Sequence, residues 1–355
     1  MTGHRSGGPV LPPQDHARSS LELLEPIFSV DLTATVIGGM AKTGTTLPLT
    51  LLDGHPDLVT FPEELRFFHM KADRRDAARA ARKFLDNENT RRLASGKTDY
   101  SLTDYTAHGG TGFGSMDYSM FDWDLFERLI VDGFAAHSVP LSRFRIVIGA
   151  YLLAMGRAIP DGRLHFVCKA PHNERFARKW RRMLGPRGRF IQCTRDPMEH
   201  YLSLLNVARM YDHRPQSAGA FARTVRKRLR LWAIYPADQL FVLDYDRLTA
   251  DTEAVMRQLA EFIGVPFHAS MLEPTKNGQP WLGNSSRGVV KDRVFRNSAI
   301  ARDQLSAEDQ RCIERRLHRF MARMGYALSA PVGPMEEARD ALRWFGEFLR
   351  NRRAR

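Results

Sequence analysis

Cysteine is scarce, with three in 355 residues: Cys168, Cys193 and Cys312. Two lie in strand-like runs and one in a helical pattern, at no metal-type spacing, which excludes a disulfide scaffold or a zinc module and predicts buried, reduced thiols. No apolar run approaches the ~20 residues that span a bilayer. The opening stretch, MTGHRSGGPVLPPQDHARSS, lacks the apolar core of a signal peptide. A flexible tail over residues 1–30 and a cytoplasmic setting are the resulting expectations. The arginines show no recognition module and no repeated aromatic interleaving, which argues against a nucleic-acid partner.

What is abundant is positive charge: 53 Lys and Arg against 40 Asp and Glu, a formal net charge of +13. Something anionic is attracted, whether a nucleotide, an acidic acceptor or a membrane surface, and charge alone does not choose. A chain that is 43% hydrophobic and 10% aromatic can bury a substantial core. Strand-like runs at 33–37, 57–61, 163–169, 189–195 and 239–245 are separated by helical patterns. They predict an α/β, P-loop-like three-layer domain with a central parallel sheet of about five strands. The domain is drawn over 31–330, with a helical and loop insert at 71–160 forming the acceptor side and a basic amphipathic helix at 331–355. That helix suits docking or a homodimer, with peripheral membrane contact as the alternative.

Ligands of such sheets sit beyond the carboxyl ends of the strands. Lys42, Glu64, Lys169 and Arg195 each follow one of these strands, so four strand ends point chemistry at one edge. The richest stretch is residues 33–68, TATVIGGMAKTGTTLPLTLLDGHPDLVTFPEELRFF. A buried strand runs into a glycine-bearing loop and then a helix, an arrangement whose backbone N–H groups cradle an anion. Gly39, Gly44 and Thr46 fit the G-x-x-x-x-G-K-[ST] loop, but Thr45 stands where its lysine belongs and the loop's one lysine is Lys42. A lysine in mid-loop reaches the outer side of a single phosphate and what it carries.

The order K-T-G-T-T, H-P and P-E-E-L-R-F-F resembles the 5′-phosphosulfate segment of sulfotransferases that use 3′-phosphoadenosine 5′-phosphosulfate (PAPS). Ala41 replaces the frequent proline and Leu47 the frequent tryptophan. The resemblance implies that Ala41, Lys42, Thr43, Gly44, Thr45 and Thr46 hold the donor and that Lys42 stabilises the departing phosphate. The run R-D-P-M-E-H-Y-L-S resembles the family's 3′-phosphate segment, giving that role to Arg195 and Ser203, with Asp196 and Pro197 as helix-start signals. The stretch at 240–267 resembles the family's strand, Y-[DE]-x-L turn and helix, an architectural piece. WLGNSSRGVVK at 281–291 resembles a loop that closes over the nucleotide through Arg287, Gly288 and Lys291.

For the base that takes the acceptor proton, Glu64 aligns with the glutamate of [KE]-E-x-x-F-F in the glycan-modifying branch. Arg66 is placed to tune it; Glu63 and Glu64 are the nearest acidic candidates in sequence, and an exposed helix start is the structural alternative for both. His108 in the insert, and more weakly His137, keep a histidine base open. Lys169 resembles the K-[ST]-P lysine that lies near the sulfuryl group or the acceptor. The expected activity is sulfuryl transfer from PAPS, leaving PAP, to a hydroxyl or amine of a carbohydrate, glycolipid or small metabolite, with no metal required. The alternatives are a P-loop kinase or NTPase, with Asp244 or Asp246 as its metal carboxylate, and a non-catalytic anion-binding protein at a membrane.

Overall fold

Period-two burial organises the sheet. In β1 (Asp31–Gly38) the side chains of Ala34 and Val36 enter one apolar core and that of Ile37 enters another, because successive residues of a strand face opposite sides. The computed structural model describes residues 18–69, 76–95, 97–98, 116–281 and 302–329. They fall into two compact units, one within residues 18–195 and 228–281 and the other within 196–227 and 302–329. His108, Arg287, Gly288, Lys291 and the helix expected at 331–355 lie outside the described residues.

The first unit holds the strands. After β1 come β2 (Leu58–Glu64), the short pair β3 (Lys97–Thr98) and β4 (Met116–Asp117), then β5 (Arg163–Lys169), β6 (Gly188–Thr194), β7 (Leu240–Asp244), and a last hairpin of β8 (Thr275–Lys276) and β9 (Gln279–Pro280). Five of them form the parallel sheet, in the order β2-β5-β1-β6-β7. The helices are α1 (Ser20–Leu24), α2 (Pro26–Ser29), α3 (Thr46–Leu52), α4 (Ala77–Leu85), α5 (Glu88–Arg91), α6 (Trp123–Ala136), α7 (Pro140–Ala154) and α8 (Ala177–Leu184). Beyond the other unit's α9 (Pro197–Met210) and α10 (Ala218–Leu229), which re-enters this one at Arg228, come α11 (Tyr245–Ala250) and α12 (Thr252–Ile263). One face of the sheet packs Phe166, Cys168 and Phe190 with α4, α6, α7 and Trp180 of α8. The other packs Val167, Ile191, Cys193 and Leu243 with α3 and α12. The result is a three-layer, P-loop-like α/β fold.

Two boundaries differ from the sequence reading. The tail expected through residue 30 is structured from Ser19, whose capping box with Glu22 opens α1, and Leu23, Leu24 and Ile27 are buried. Strand β2 does not stop at Phe61 but continues through Glu64, with its register against β5 breaking between Thr60 and Glu64. Pro62 is tolerated because β2 is an edge strand, where a missing N–H costs no ladder bond.

The second unit contains α9, most of α10, and α13 (Ala307–Met324). Within it the rings of His200 and Tyr201 pack on Phe221 at 5.0 and 5.1 Å. Among the described residues no helix is long and apolar enough to cross a membrane.

Candidate active site

The loop after β1 is shaped by backbone constraints. A Cβ at Gly39 would stand 2.8 Å from the Cys193 carbonyl oxygen, so only glycine fits. The Thr43 N–H and hydroxyl both donate to the Met40 carbonyl, at 3.2 and 2.7 Å, closing a tight turn. Lys42 is left-handed at φ +69°, uncommon for a residue with a Cβ. Gly44 is left-handed too, and a Cβ there would lie 2.1 Å from the Tyr245 ring. Thr43 and Thr45 are buried, whereas Ala41, Lys42, Gly44 and Thr46 are half-buried. Thr45 precedes α3, whose Pro48 sits in the first turn, where its absent N–H breaks no helical bond.

The ring of Tyr245 also lies under the Arg195 guanidinium, 5.1 Å from it. Thr194 and Asp244 are register partners in β6 and β7, so the residues that follow them, Arg195 and Tyr245, emerge side by side. Tyr245 thus touches both the Lys42 loop and the arginine of the second motif. Sequence reading passed over it as architecture. Asp244 accepts the Asp246 N–H at 3.0 Å and caps α11, a structural use for the carboxylate considered for a kinase metal site. In the second unit, Asp196 accepts the Met198 N–H at 2.8 Å and Pro197 opens α9, on which Ser203 is half-buried.

On the other side of β1, Lys169 closes β5 with Ile37 and Glu64 as its register neighbours. Its ammonium donates to Glu64 Oε1 at 3.0 Å, and Arg66 donates to Oε2 through Nε and a terminal nitrogen at 3.0 and 2.7 Å. Burial alone would raise the Glu64 pKa, but Lys169 and Arg66 outweigh it and hold the carboxyl at about 2. Glu63, also in β2, is 2% exposed, so the exposed helix start weighed for Glu63 and Glu64 is not what the structure shows. It accepts from Tyr118 and Lys276, with Arg92 3.6 Å from its second oxygen. Burial pushes the Lys276 ammonium pKa down, against the pull of Glu63. His137, one of the candidate bases, stacks on Phe28 at 4.7 Å and its carbonyl accepts the Arg143 Nε at 2.7 Å, a packing role in the helical layer.

The segment after Lys169 is laced to the loop after β1. Ala170 N–H and the Asn173 amide donate to the Ile37 carbonyl at 3.2 and 3.1 Å, and His172 N–H donates to the Gly39 carbonyl at 2.7 Å. Glu174 returns the contact, accepting the Gly39 N–H on Oε2 at 3.1 Å. Its Oε1 lies 3.6 Å from His172 Nδ1 and 3.6 Å from Arg228 Nε. His69 Nε2 pairs with the Pro171 carbonyl at 3.0 Å, and burial holds its pKa down.

A family model for the sulfotransferase family matches residues 35–269, about two thirds of the chain and all the strand ends just described. The chain belongs to the sulfotransferase family. The fold is likewise that of the sulfotransferase domain from the curacin biosynthetic pathway, at 16% identity and a TM-score of 0.50, covering 84% of this chain and 100% of that one. STF9 from Mycobacterium avium aligns at 17% identity and a TM-score of 0.43, covering 90% and 81% of the two chains. The sulfotransferase domain of the Synechococcus PCC 7002 olefin synthase aligns at 17% identity and a TM-score of 0.45, covering 70% and 80%. No curated protein matches significantly. In this sulfotransferase the loop of Lys42 lies between two sets of strand-end groups, Arg195 with Tyr245 on one side and Lys169 with Glu64 on the other.

Proposed function

We propose that this sulfotransferase takes the sulfuryl group from PAPS and passes it in line to a hydroxyl or amine of a carbohydrate, glycolipid or small metabolite, leaving PAP. The observation that carries the reading is the Tyr245 ring, packed at once against Gly44 of the first anion motif and Arg195 of the second. A donor with phosphates at both ends of one nucleoside needs two such sites at a fixed separation. The residues fit that donor: a turn with left-handed Lys42 and Gly44 leaves room only for backbone, and the planar Arg195 fork suits a phosphate monoester.

Ala41 to Thr46 hold the 5′ end in this reading. Arg195 takes the 3′-phosphate. Sulfuryl transfer asks the protein mainly for alignment and for stabilisation of charge on the departing oxygen. Lys42 supplies the second and Lys169 steadies the sulfuryl oxygens. A carboxylate held at about 2 stays ionised across the working pH range but is a weak base. Glu64 therefore accepts a hydrogen bond from the acceptor and aligns it, a narrower role than the base expected from its motif.

Calorimetry with PAP, PAPS and ATP tests the reading. PAP should bind to the wild type, at least tenfold more weakly to Arg195→Ala, and with little change to Lys42→Ala, which should lose transfer. ATP binding without PAP binding would overturn it in favour of a kinase or NTPase.

A further inference from the structure

We propose that Glu174 is the positioning residue that presets the Lys42 loop for the donor, gripping the Gly39 amide from behind while Arg228 balances its charge. The proposal rests on the reading of that loop as the seat of the donor's 5′ end, and the first measurement that tests it needs no donor.

Gly39 is where the chain leaves β1 for the loop, and its surroundings leave it no freedom. Its N–H donates to Glu174 Oε2 at 3.1 Å, its carbonyl accepts the His172 N–H at 2.7 Å, and the place a Cβ would take is 2.8 Å from the Cys193 carbonyl oxygen. The backbone there has φ +153°, a region that glycine alone visits freely, and further along Lys42 and Gly44 are left-handed at +69° and +81°. Such conformations persist only where the surroundings fix them. The side chain that fixes the entrance to this loop is Glu174.

The way Glu174 is buried points to the same task. Its side chain is 1% exposed, and burying a carboxylate is unfavourable unless hydrogen bonds and opposite charges offset it. Oε2 has the Gly39 amide, whereas among the described residues Oε1 accepts no hydrogen bond and faces Arg228 Nε and His172 Nδ1 at 3.6 Å each. Arg228 Nε is likewise buried without a hydrogen bond, so the two groups are held together by charge at a distance. An apolar side chain would suit this packing better, except that the buried Gly39 N–H would then have no partner. The carboxylate therefore serves the loop rather than the core. The segment that carries it is itself tied down: it is a 3₁₀ turn at Asn173–Phe176, whose first residue donates its side-chain amide to the Ile37 carbonyl at 3.1 Å. With this clamp the turn stands formed before the donor arrives, and binding does not have to order it.

The test uses the full chain. Hydrogen exchange is read by mass spectrometry over residues 38–46, with β6 as the reference, and in the free wild type the loop should be protected. Glu174→Leu is of similar size and removes the acceptor. Its loop should exchange fast in the free protein and regain protection with PAP while β6 is unchanged, and PAP should bind at least about tenfold more weakly by calorimetry. Glu174→Gln can still take the Gly39 N–H on its amide oxygen. It should bind PAP within about threefold of the wild type, although it melts lower for want of the charge facing Arg228. That rescue separates positioning from a general loss of stability. An unprotected loop in the free wild type would overturn the proposal with no variant involved, which keeps it testable if the leucine variant fails to fold. Wild-type PAP affinity in Glu174→Leu, a Glu174→Gln as weak as the leucine variant, or protection lost as much in β6 as in the loop would overturn it too. A wild type whose free loop is protected but which binds no PAP would strike the donor reading and leave the clamp standing.

Discussion

Replacing Glu64 by glutamine keeps the side chain's shape and removes the charge facing Lys169 and Arg66. Burial raises the Glu64 pKa, and the two cations outweigh it to bring the group from 4.5 to about 2. At ~1.36 kcal/mol per pKa unit this is on the order of 3 kcal/mol of stability at neutral pH. The Arg66 side chain is 40% exposed, so solvent screens its share and about 2 kcal/mol is the firmer expectation. The folded pKa lies below the unfolded one, so this stability is fully present above pH 4.5 and is lost as pH falls from 4.5 towards 2. Glu64→Gln should therefore be about 2 kcal/mol less stable than the wild type at pH 7, with the gap narrowing between pH 4.5 and 3. Lys169→Met leaves the carboxylate with Arg66 alone. The double variant Glu64→Gln, Lys169→Met should lose less than the two single losses added, because neither partner is then left buried without the other. Urea unfolding at pH 7, 5, 4 and 3 reads all of this. A gap below about 0.5 kcal/mol at pH 7, a gap constant with pH, or strict additivity would show that the pair is not an ion pair of consequence.

Two further outcomes follow from the same structure. His165 lies between the Thr33 hydroxyl at 3.0 Å and the Thr35 hydroxyl at 2.7 Å, and burial, with Arg163 and Arg189 adding to it, lowers its pKa from 6.5 to about 4. The unfolded chain takes that proton first, so stability should fall by on the order of 3 kcal/mol as pH drops from 6.5 to 4, and His165→Gln should flatten that slope in acid titrations of unfolding. Gly44→Ala meets both φ +81° and the Tyr245 ring 2.1 Å away, so it should cost about 1–3 kcal/mol and at least tenfold in PAP affinity. Wild-type Tm and affinity in that variant would refute the packing of Gly44 on Tyr245.

The sheet was legible because its central strands are nearly continuous apolar runs, Thr33 to Ile37 and Leu164 to Cys168 among them, which only a two-sided burial explains. Where the reading failed, local punctuation was overruled by position. Pro62 reads as a turn, and would be one in a central strand. On the edge strand β2, whose register against β5 breaks between Thr60 and Glu64, its missing N–H costs no ladder bond and the chain runs on to Glu64. The helices before β1 failed for a different reason. Runs of five and four residues are too short to show a period, and they persist because Leu23, Leu24 and Ile27 reach the core.

The positions of Lys42 and Arg195 just past β1 and β6 were legible because each sits in a contiguous motif that follows an apolar run. The pairings that decide what the other charges do were not, since they join residues 105 apart for Lys169 and Glu64, 213 apart for Lys276 and Glu63, and 135 apart for Gly39 and Glu174. Two adjacent glutamates look interchangeable in P-E-E-L. The strand pleat separates them, sending Glu63 to a buried lysine and Glu64 to the strand-end lysine beside the Lys42 loop. The same holds for Tyr245. Nothing in Y-D-R-L marks it as more than a turn, and its place between Gly44 and Arg195 comes from the pairing of Thr194 with Asp244 one residue earlier. Motifs name the strand-end groups one at a time, and sheet register decides which of them stand side by side.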